Sequence, residues 1–438
     1  MNLHERGQRH LLFAESRPGQ PRRPVIMSRG EGSTIWDTEG REYLDAQAGL
    51  VVTNIGYGRR ELAQVAARQM DELMYYHTYF HFANEPAVEL AAKLAELAPP
   101  GLEKVVYTLG GAESVETSVK LARLYQRAKG RPQGDKIICL QNAYHGNTMG
   151  ALSATGFAAH KEYFGPLVPG FSHITPPDPW LYPDRTAAQF AAELEQVILA
   201  EGPETCAAFL AEPIMGVAGM VVPVDGYWQA VRAICDRYGI LWIADEVMTG
   251  FGRAGAQWGL DHWGVDPDVI CTAKGLTSGY LPMGAVIIRD SIVEAIAAAD
   301  LPFTHGFTYA GHPVACAVAL KNIEIYEAEG LAGHAAAMGE RLIAGLKATG
   351  NPYFGEVRGR GLMVGVELVR AGREPFACEP GFGFRVEAGC FAAGVIIGVA
   401  PYRDALMLTP PLVITPDEID RLVAVVDRIV REEAERLA

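Results

Sequence analysis

The chain lacks an excess of positive charge, a cysteine motif and any long apolar run. Its 438 residues include 38 Lys and Arg against 52 Asp and Glu, a formal net charge of −14. No net basic field exists to attract nucleic acid or anionic lipid, so neither is expected as a partner. The seven cysteines are scattered and include no C-x-x-C pair, which is typical of a reducing compartment.

Neither a secretory leader nor a membrane span is expected. The first 30 residues contain six arginines and no apolar core, unlike a signal peptide. The longest weakly charged stretch, residues 206–224, is interrupted by Glu212, two prolines and two glycines, which a membrane span would tolerate poorly. With 49% apolar and 21% charged residues, the composition is that of a globular protein with a large core. We therefore expect a cytoplasmic protein.

Short apolar runs alternate with helical periodicities through the middle of the chain. Six runs are apolar almost throughout: 104–109, 136–140, 206–213, 240–247, 268–274 and 284–289. Such strands are typical of a parallel sheet covered by helices on both faces. We predict an α/β fold whose large domain, residues 60–320, has a mostly parallel central sheet. A smaller α+β domain is expected from both chain ends, residues 1–59 and 321–438.

Two of these runs carry polar side chains near their ends. The run 240–247 contains Asp245, and the run 268–274 ends at Lys274. Ligands of open α/β sheets bind beyond the carboxyl ends of the strands, where a desolvated lysine would have a lowered pKa and a lone pair free to attack a carbonyl. A carboxylate beside Val247 on one strand face would suit the ring nitrogen and ring face of pyridoxal phosphate. Taken singly, Lys274 is more often a lysine reaching solvent, and Asp245 more often a member of a structural ion pair.

A glycine turn supplies a candidate phosphate site. Gly110 and Gly111 follow a strand and lead directly into an amphipathic helix, which directs free backbone N–H groups and the positive helix end toward an anion. Tyr144 follows the run 136–140, where its ring could stack on a flat heterocycle. A tight connection and a buried tyrosine are the commoner explanations of these two features alone.

In combination, the motifs resemble those of the class III (omega) aminotransferases, which are fold type I pyridoxal-phosphate enzymes, over most of the chain. The matching segments occur in the family's order: GGAESVETSVKLAR (110–123), NAYHGNTMGALSATG (142–156), AEPIMG (211–216), IADEVMTGFGRAG with DVICTAKGL (243–255 and 268–276), and HGFTYAGHPVA (305–315). The resemblance implies pyridoxal 5′-phosphate as cofactor. It also implies transfer of an amino group from an amine or omega-amino acid to a keto acid such as pyruvate or 2-oxoglutarate.

The resemblance further implies the residues that hold the cofactor. Lys274 would form a Schiff base with it and move the proton, Asp245 would pair with the pyridine nitrogen, and Val247 and Tyr144 would enclose the ring. The other implied cofactor residues are Gly111, Ala112, His145, Glu212 and, from a neighbouring subunit, Phe307 and Thr308. A homodimer with shared active sites, or a tetramer, would follow.

Three residues are implied to contact the substrate. Arg403 would be a mobile arginine that binds the acceptor's carboxylate, because a guanidinium suits bidentate recognition; an exposed loop arginine is the alternative. Tyr79 and Val51 would line the pocket, and Val51 stands where many amine–pyruvate members have tryptophan. Ala112 stands where the family usually has serine, so backbone amides would carry more of the phosphate binding.

Two other functions compete with this interpretation. Gly250, Gly252 and Gly255 form G-x-G-x-x-G after a strand, as in a nicotinamide-dependent oxidoreductase, but the residues that follow make a poor helix. Relatives of the fold also carry out mutase, epimerase or decarboxylase chemistry from the same lysine. A visible chromophore would exclude the first alternative, and a requirement for a keto acid would exclude the second. No metal is expected.

Overall fold

Strands and helices alternate along the part of the chain that the structure, a computed structural model, describes: residues 1–16 and 23–437. The strands are β1 (Met27–Glu31), β2 (Thr34–Asp37), β3 (Glu42–Asp45), β4 (Leu102–Thr108), β5 (Lys136–Leu140), β6 (Phe171–Ile174), β7 (Cys206–Ala211), β8 (Leu241–Asp245), β9 (Val269–Thr272), β10 (Gly284–Arg289), β11 (Phe354–Arg360), β12 (Met363–Leu368), β13 (Val395–Ile396), β14 (Gly398–Val399) and β15 (Ala405–Leu408). The helices are α1 (Leu3–His10), α2 (Ala48–Val51), α3 (Arg60–Leu73), α4 (Glu85–Leu97), α5 (Gly111–Ala128), α6 (Met149–Ala154), α7 (Ala158–Lys161), α8 (Ala187–Glu201), α9 (Tyr227–Tyr238), α10 (Asp290–Ala298), α11 (Pro313–Ala328), α12 (Leu331–Ala348), α13 (Phe382–Ala392) and α14 (Pro416–Glu435).

The central sheet has seven strands in the order β4-β10-β9-β8-β7-β5-β6. Strands β6, β5, β7, β8 and β9 pair in parallel, whereas β10 runs antiparallel to both β9 and β4. Every residue of β7, β8 and β9 is buried, as expected when helices cover both faces of a sheet. The predicted α/β class with a mostly parallel sheet is confirmed.

Two smaller sheets combine segments from distant parts of the chain. One has the order β1-β2-β3-β13 and the other β11-β12-β15-β14. Strand β13 pairs in parallel with β3 through Val395 and Leu44, so both chain ends contribute to the first sheet. Residue 320, the predicted end of the large domain, lies within α11, and the division into domains remains a prediction.

Within the described ranges, no two cysteines form a disulfide. No helix there could span a membrane. All seven cysteines are free, and six of them are buried, where a thiol serves as a small apolar side chain. Across residues 1–16 and 23–437, no helix has both the length and the apolar character needed to cross a membrane.

An aromatic stack joins strand β8 of the central sheet to helix α9. Trp242 of β8 stacks on Trp228 of α9 with ring centroids 5.3 Å apart, and both side chains are buried. Large buried aromatic side chains contribute much of the packing energy of a core. The stack therefore fixes β8, and with it the position of Asp245 at the end of that strand.

Candidate active site

A cavity of about 430 Å³ lies beyond the carboxyl ends of the parallel strands. Side chains that follow β5, β7, β8 and β9 meet there, together with the start of α5. The lining residues are Gly111, Ala112, Tyr144, His145, Gly146, Asn147, Thr148, Glu212, Val217, Asp245, Val247, Met248 and Lys274. Eight of the residues predicted to hold a cofactor are thus brought together in one cavity.

Lys274 enters this cavity from a strained turn. It opens the 3-10 turn Lys274–Leu276 directly after β9 and has a φ of 41°, a left-handed conformation that a non-glycine residue adopts only when its surroundings enforce it. Buried Asn322 of α11 does so by donating from Nδ2 to the carbonyl oxygens of Gly275, at 2.9 Å, and Leu276, at 3.0 Å. On the other side, Asn54 packs so closely that a Cβ on Gly275 would lie 2.4 Å from its Nδ2.

The amine of Lys274 is available for chemistry. Among the described residues, no hydrogen bond or ion pair occupies its Nζ. Burial lowers the pKa of this amine, against the opposing effect of Asp245 and Glu212, and Arg253 lowers it further. A lysine with a lowered pKa is more often neutral, and therefore a better nucleophile and base, than one in water.

Asp245, the last residue of β8, is held by a buried histidine. Its Oδ2 lies 2.8 Å from Nδ1 of His145, and its Oδ1 accepts the N–H of Val247 at 3.2 Å. The backbone N–H of His145 donates to Thr155 at 3.0 Å. The carboxylate of Asp245 is thus held in position at the cavity, where it can pair with a positively charged group of a ligand.

Glu212 follows β7 and shapes the cavity wall. Its Oε1 accepts the N–H of Tyr144 at 3.0 Å and its Oε2 accepts the N–H of Gly216 at 2.8 Å. Burial raises the pKa of this carboxyl to about 7. The neighbouring His145 opposes this rise, and the charge of Asp245 adds to the rise. Glu212 thus joins the loops after β5 and β7, and its charge changes near neutral pH.

The start of α5 is an uncapped helix N-terminus that packs against Val247. Gly111 is the first residue of this 18-residue helix, and no side chain caps its N-terminus, so its first N–H groups are free for a ligand. A Cβ on Gly111 would lie 2.7 Å from Cγ1 of Val247, which explains the glycine. A Cβ on Gly146 would likewise lie 2.6 Å from the Cβ of Ala112.

Four predicted residues lie at a different surface or in the core. Tyr79 and Phe307 line a separate groove of about 820 Å³. Tyr79 also packs on Gly306, because a Cβ added to Gly306 would lie 2.8 Å from the hydroxyl of Tyr79. Thr308 is exposed, and its carbonyl accepts the hydroxyl of Tyr75 at 2.6 Å. Of the substrate residues, Val51 is buried in a core cluster and does not line the cavity.

Arg403 is bound to carboxylates of its own chain. Its Nε and Nη2 donate to the two oxygens of Glu367 at 3.1 and 2.5 Å, and its Nη1 donates to Asp178 at 2.7 Å. The side chain is 15% exposed, so the alternative of an exposed loop arginine is not what the structure shows. Arg403 lines a second cavity beside the first.

Sequence reasoning missed several lining residues and one supporting side chain. Five further residues line the cavity: Gly146, Asn147, Thr148, Val217 and Met248. Four of them lie inside the recognised motifs, and Val217 directly follows the motif 211–216. Asn322 lies in α11, outside the recognised motifs, and gave no signal. The segment from Gly250 to Gly255 forms turns without a helix, so the dinucleotide fingerprint has no structural counterpart.

The fold and the cavity define an enzyme that holds a flat, anionic cofactor beside a lysine. An amine can bind an aldehyde, and a carboxylate held in position can pair with a ring nitrogen. A helix N-terminus can bind a phosphate. Comparison with known proteins identifies the family.

The family model for aminotransferase class-III matches residues 16–430. A putrescine–pyruvate aminotransferase from Pseudomonas aeruginosa is 42% identical over 430 residues, covering 93% of this chain and 91% of that protein. A diaminobutyrate–2-oxoglutarate transaminase from Halomonas elongata is 40% identical, covering 94% and 91%. The chain therefore belongs to the class III aminotransferases.

Solved structures agree with this assignment. A thermostable (S)-enantioselective omega-transaminase from Thermomicrobium roseum matches with a TM-score of 0.95 at 47% identity, covering 98% of both chains. The omega transaminase from Pseudomonas jessenii in complex with PMP matches with a TM-score of 0.95 at 36% identity, covering 100% of this chain and 99% of that chain. The protein is thus a pyridoxal-phosphate-dependent aminotransferase, as its sequence motifs predict.

The residues of this chain fit that cofactor. Lys274 has an amine without a partner in the cavity, Asp245 has a carboxylate held by His145, and the start of α5 has uncapped N–H groups. Val247 and Tyr144 add an apolar side chain and an aromatic ring to the same lining. The absence of a serine at Ala112 leaves the backbone amides, which are sufficient donors for a phosphate.

Proposed function

We propose that the protein transfers the amino group of a diamine or omega-amino acid to pyruvate or 2-oxoglutarate. The observation that carries the proposal is the unpaired amine of Lys274, which shares one cavity with Asp245 and the start of α5. Relatives supply the substrate classes: putrescine and pyruvate in one, diaminobutyrate and 2-oxoglutarate in another.

Each residue of the cavity has a separate task in this proposal. When bound, the cofactor supplies an aldehyde for amine attachment and a ring that stabilises negative charge on the neighbouring carbon. Lys274 binds the cofactor covalently through Nζ, and once displaced it accepts and returns the proton of the substrate carbon. Asp245 keeps the ring nitrogen protonated, and His145 holds Asp245 in place. Burial, which lowers the pKa of Lys274, suits both of its roles.

We also propose a homodimer in which Phe307 and Thr308 reach the phosphate of the neighbouring site. Phe307 and Tyr79 share a groove away from Lys274, and large apolar side chains are exposed around it: Phe80 at 87%, Phe82 at 52% and Tyr309 at 63%. Exposed aromatic clusters of this kind are typical of subunit contacts. The free thiols favour a reducing, cytoplasmic location.

A donor and acceptor panel tests the proposed function. Putrescine, 2,4-diaminobutyrate, 4-aminobutyrate, β-alanine, taurine and 1-phenylethylamine are each supplied with pyruvate or 2-oxoglutarate, and the alanine or glutamate formed is measured. We expect turnover with at least one diamine or omega-amino acid. Product that forms without any keto acid would indicate a mutase, epimerase or decarboxylase and would contradict the proposal.

Lys274→Ala is the decisive variant in this assay. We expect it to abolish amino transfer, because no other amine in the cavity can hold the cofactor or move the proton. Lys161→Ala is the matched control: burial also lowers the pKa of Lys161, but this lysine lies on α7 and does not line the cavity. Transfer that persists in Lys274→Ala, or disappears equally in Lys161→Ala, would refute the assigned role.

A further inference from the structure

The loop that links α10 to α11 carries the residues proposed to reach the neighbouring subunit. Residues 301–307 form neither helix nor strand, and Phe307 and Thr308 lie at the end of this stretch. A loop without regular hydrogen bonds keeps one shape only through its contacts with other elements. We call residues 301–309 the crossing loop, and its contacts decide where Thr308 is presented.

One set of contacts joins the crossing loop to a segment that is itself irregular. The hydroxyl of Tyr75 donates to the carbonyl of Thr308 at 2.6 Å, and Tyr79 packs on Gly306. Residues 75–78 form neither helix nor strand. These contacts therefore join two irregular segments and do not by themselves fix the loop on a regular element of the fold.

His305 supplies the contact with a regular element. Its Nε2 lies 2.8 Å from Oγ1 of Thr117, and its Nδ1 lies 2.9 Å from Nζ of Lys120. Both partners lie on α5, and residues three positions apart are neighbours on one helix face. Thr117 is buried, so this edge of the imidazole faces the packed interior. His305 thus fastens the crossing loop to an 18-residue helix at two points.

The two partners define which ring nitrogen of His305 carries the proton. The ammonium of Lys120 can only donate, so Nδ1 of the ring is an acceptor. The hydroxyl of Thr117 donates to the carbonyl of Glu113 at 2.7 Å, so it accepts from Nε2–H of the ring. Only the neutral imidazole makes both hydrogen bonds. The pKa of His305 is lowered by burial and by Lys120, against the effect of Glu116, which favours the neutral ring.

The same helix supports the cofactor cavity of its own subunit. Its first residues, Gly111 and Ala112, line that cavity. Glu116 accepts the hydroxyl of Thr148 at 2.7 Å, and Thr148 lines the cavity too. Helix α5 is therefore in contact with its own cofactor site and, through His305, with the loop directed at the other site.

We propose that His305 is a positioning residue for the cofactor of the neighbouring subunit. Its two hydrogen bonds to α5 hold the crossing loop in the shape that presents Thr308 to the phosphate there. This inference rests on the proposed homodimer, and it adds a residue and a direction of action that the dimer alone does not imply. The effect of His305 is expected in the partner's site and not in the cavity of its own chain.

Mixed dimers show in which site His305 acts. Two chains with different affinity tags are co-expressed, and one chain carries Lys274→Ala, so only the cavity of the other chain can form the visible absorbance band of lysine-bound cofactor. In the first mixed dimer, His305→Ala is placed on the chain with Lys274→Ala. In the second, it is placed on the chain that keeps Lys274. Cofactor is titrated into each cofactor-free dimer and into a reference dimer without His305→Ala.

The two mixed dimers should differ in cofactor affinity. We expect His305→Ala to weaken cofactor binding about tenfold in the first dimer, as when a hydrogen bond to a charged phosphate is lost, and by less than about threefold in the second. Equal affinity in the two dimers, weaker binding in the second alone, or a chain that stays monomeric would overturn the proposal. A failure of amino transfer in the donor and acceptor panel would count against the proposed function and leave these titrations standing.

Two further variants examine the same contact in the first mixed dimer. Thr117→Val removes the hydroxyl on the helix side, and we expect it to weaken cofactor binding as His305→Ala does. Combining the two changes on one chain should weaken binding no further, because the two side chains share one hydrogen bond. His305→Gln, whose amide can accept from Lys120 and donate to Thr117, should recover most of the affinity.

His334→Ala is the matched control. His334 is also a half-buried imidazole, and its Nε2 lies 2.9 Å from the carbonyl oxygen of Ile414, but it lies on α12. This variant should leave cofactor affinity unchanged in both mixed dimers. Additive losses from Thr117→Val and His305→Ala, a loss in His305→Gln as large as that in His305→Ala, or an equal loss in His334→Ala would refute the role of the contact with α5.

Discussion

The two adjoining cavities treat their cationic side chains in opposite ways. In the cofactor cavity, Lys274 has an amine without a partner among the described residues and a pKa lowered by burial. In the second cavity beside it, Arg403 donates to Glu367 and Asp178 through three nitrogens. An unpaired, desolvated amine is available for reaction, whereas a paired guanidinium is committed to structure. From residue type alone, both side chains would have been assigned to the binding of substrate or cofactor.

The largest expected contrast comes from one isosteric change made in each region. Asp245→Asn removes the charge that we propose pairs with the ring nitrogen, and we expect turnover to fall by about 10²–10³-fold, as when a preorganised charged or hydrogen-bonding group is removed from an active site. Asp178→Asn removes one partner of Arg403, and we expect a loss of about 1–3 kcal/mol in the free energy of unfolding.

Turnover with saturating cofactor and chemical unfolding of the cofactor-free protein measure the two effects. We expect Asp245→Asn to change mainly turnover and Asp178→Asn to change mainly stability. A catalytic loss in Asp178→Asn as large as that in Asp245→Asn would place the Arg403 network inside the reacting site and remove the distinction between the two regions.

A smaller effect is expected from the support of Lys274. Asn322→Ala removes both hydrogen bonds to the turn at Gly275 and Leu276, so the left-handed conformation of Lys274 loses its restraint. We expect cofactor to bind roughly tenfold more weakly, equivalent to about 1.4 kcal/mol, measured by absorbance titration of the cofactor-free protein.

The matched control is Asn351→Ala. Asn351 is a buried asparagine that donates to Asp427, far from the cavity, so its loss should lower the melting temperature without changing cofactor affinity. Equal cofactor affinity in Asn322→Ala and the wild type would mean that the strained turn persists without Asn322, and its positioning role would be withdrawn.

The smallest expected effect is a change in pH dependence. The folded pKa of Glu212 is raised from its ordinary value of 4.5 to about 7 by burial, so the folded cofactor-free protein binds this proton more tightly than the unfolded chain. Its contribution to stability is therefore present below pH 4.5 and is lost as pH rises toward about 7.

Glu212→Gln should remove this part of the pH dependence. We expect the melting temperature of the cofactor-free variant to fall less between pH 5 and pH 7.5 than that of the wild type, by differential scanning calorimetry at about ten pH values across this range. An identical pH profile in the two proteins would mean that Glu212 stays ionised throughout.

Local patterns in the sequence were sufficient for the sheet and for most of the cofactor cavity. Apolar runs identify buried parallel strands because both faces of such strands are covered. Tyr144, Glu212, Asp245 and Lys274 each lie at a strand end or a few residues beyond it, and parallel strands bring such ends to one edge. Their proximity in space could therefore be predicted without a structure.

Contacts between distant segments could not be predicted in this way. Arg403 pairs with Glu367, 36 residues away, and with Asp178, 225 residues away, and no periodicity or motif links these positions. Asn322 reaches Gly275 across 47 residues from a helix that carries no other site residue. Such pairs depend on how whole elements pack. The ion pairs of Arg403 and the hydrogen bonds from Asn322 to the turn at Lys274 are therefore seen only in the structure.

The central claim is that Lys274 is the amine that holds the cofactor. Borohydride reduction of the holoenzyme, followed by proteolysis and peptide mass spectrometry, tests it most directly, because reduction fixes the cofactor to the nitrogen that carries it. We predict the added mass on the peptide that contains Lys274 and on no other lysine. The added mass on a different lysine, or on none, would contradict the account.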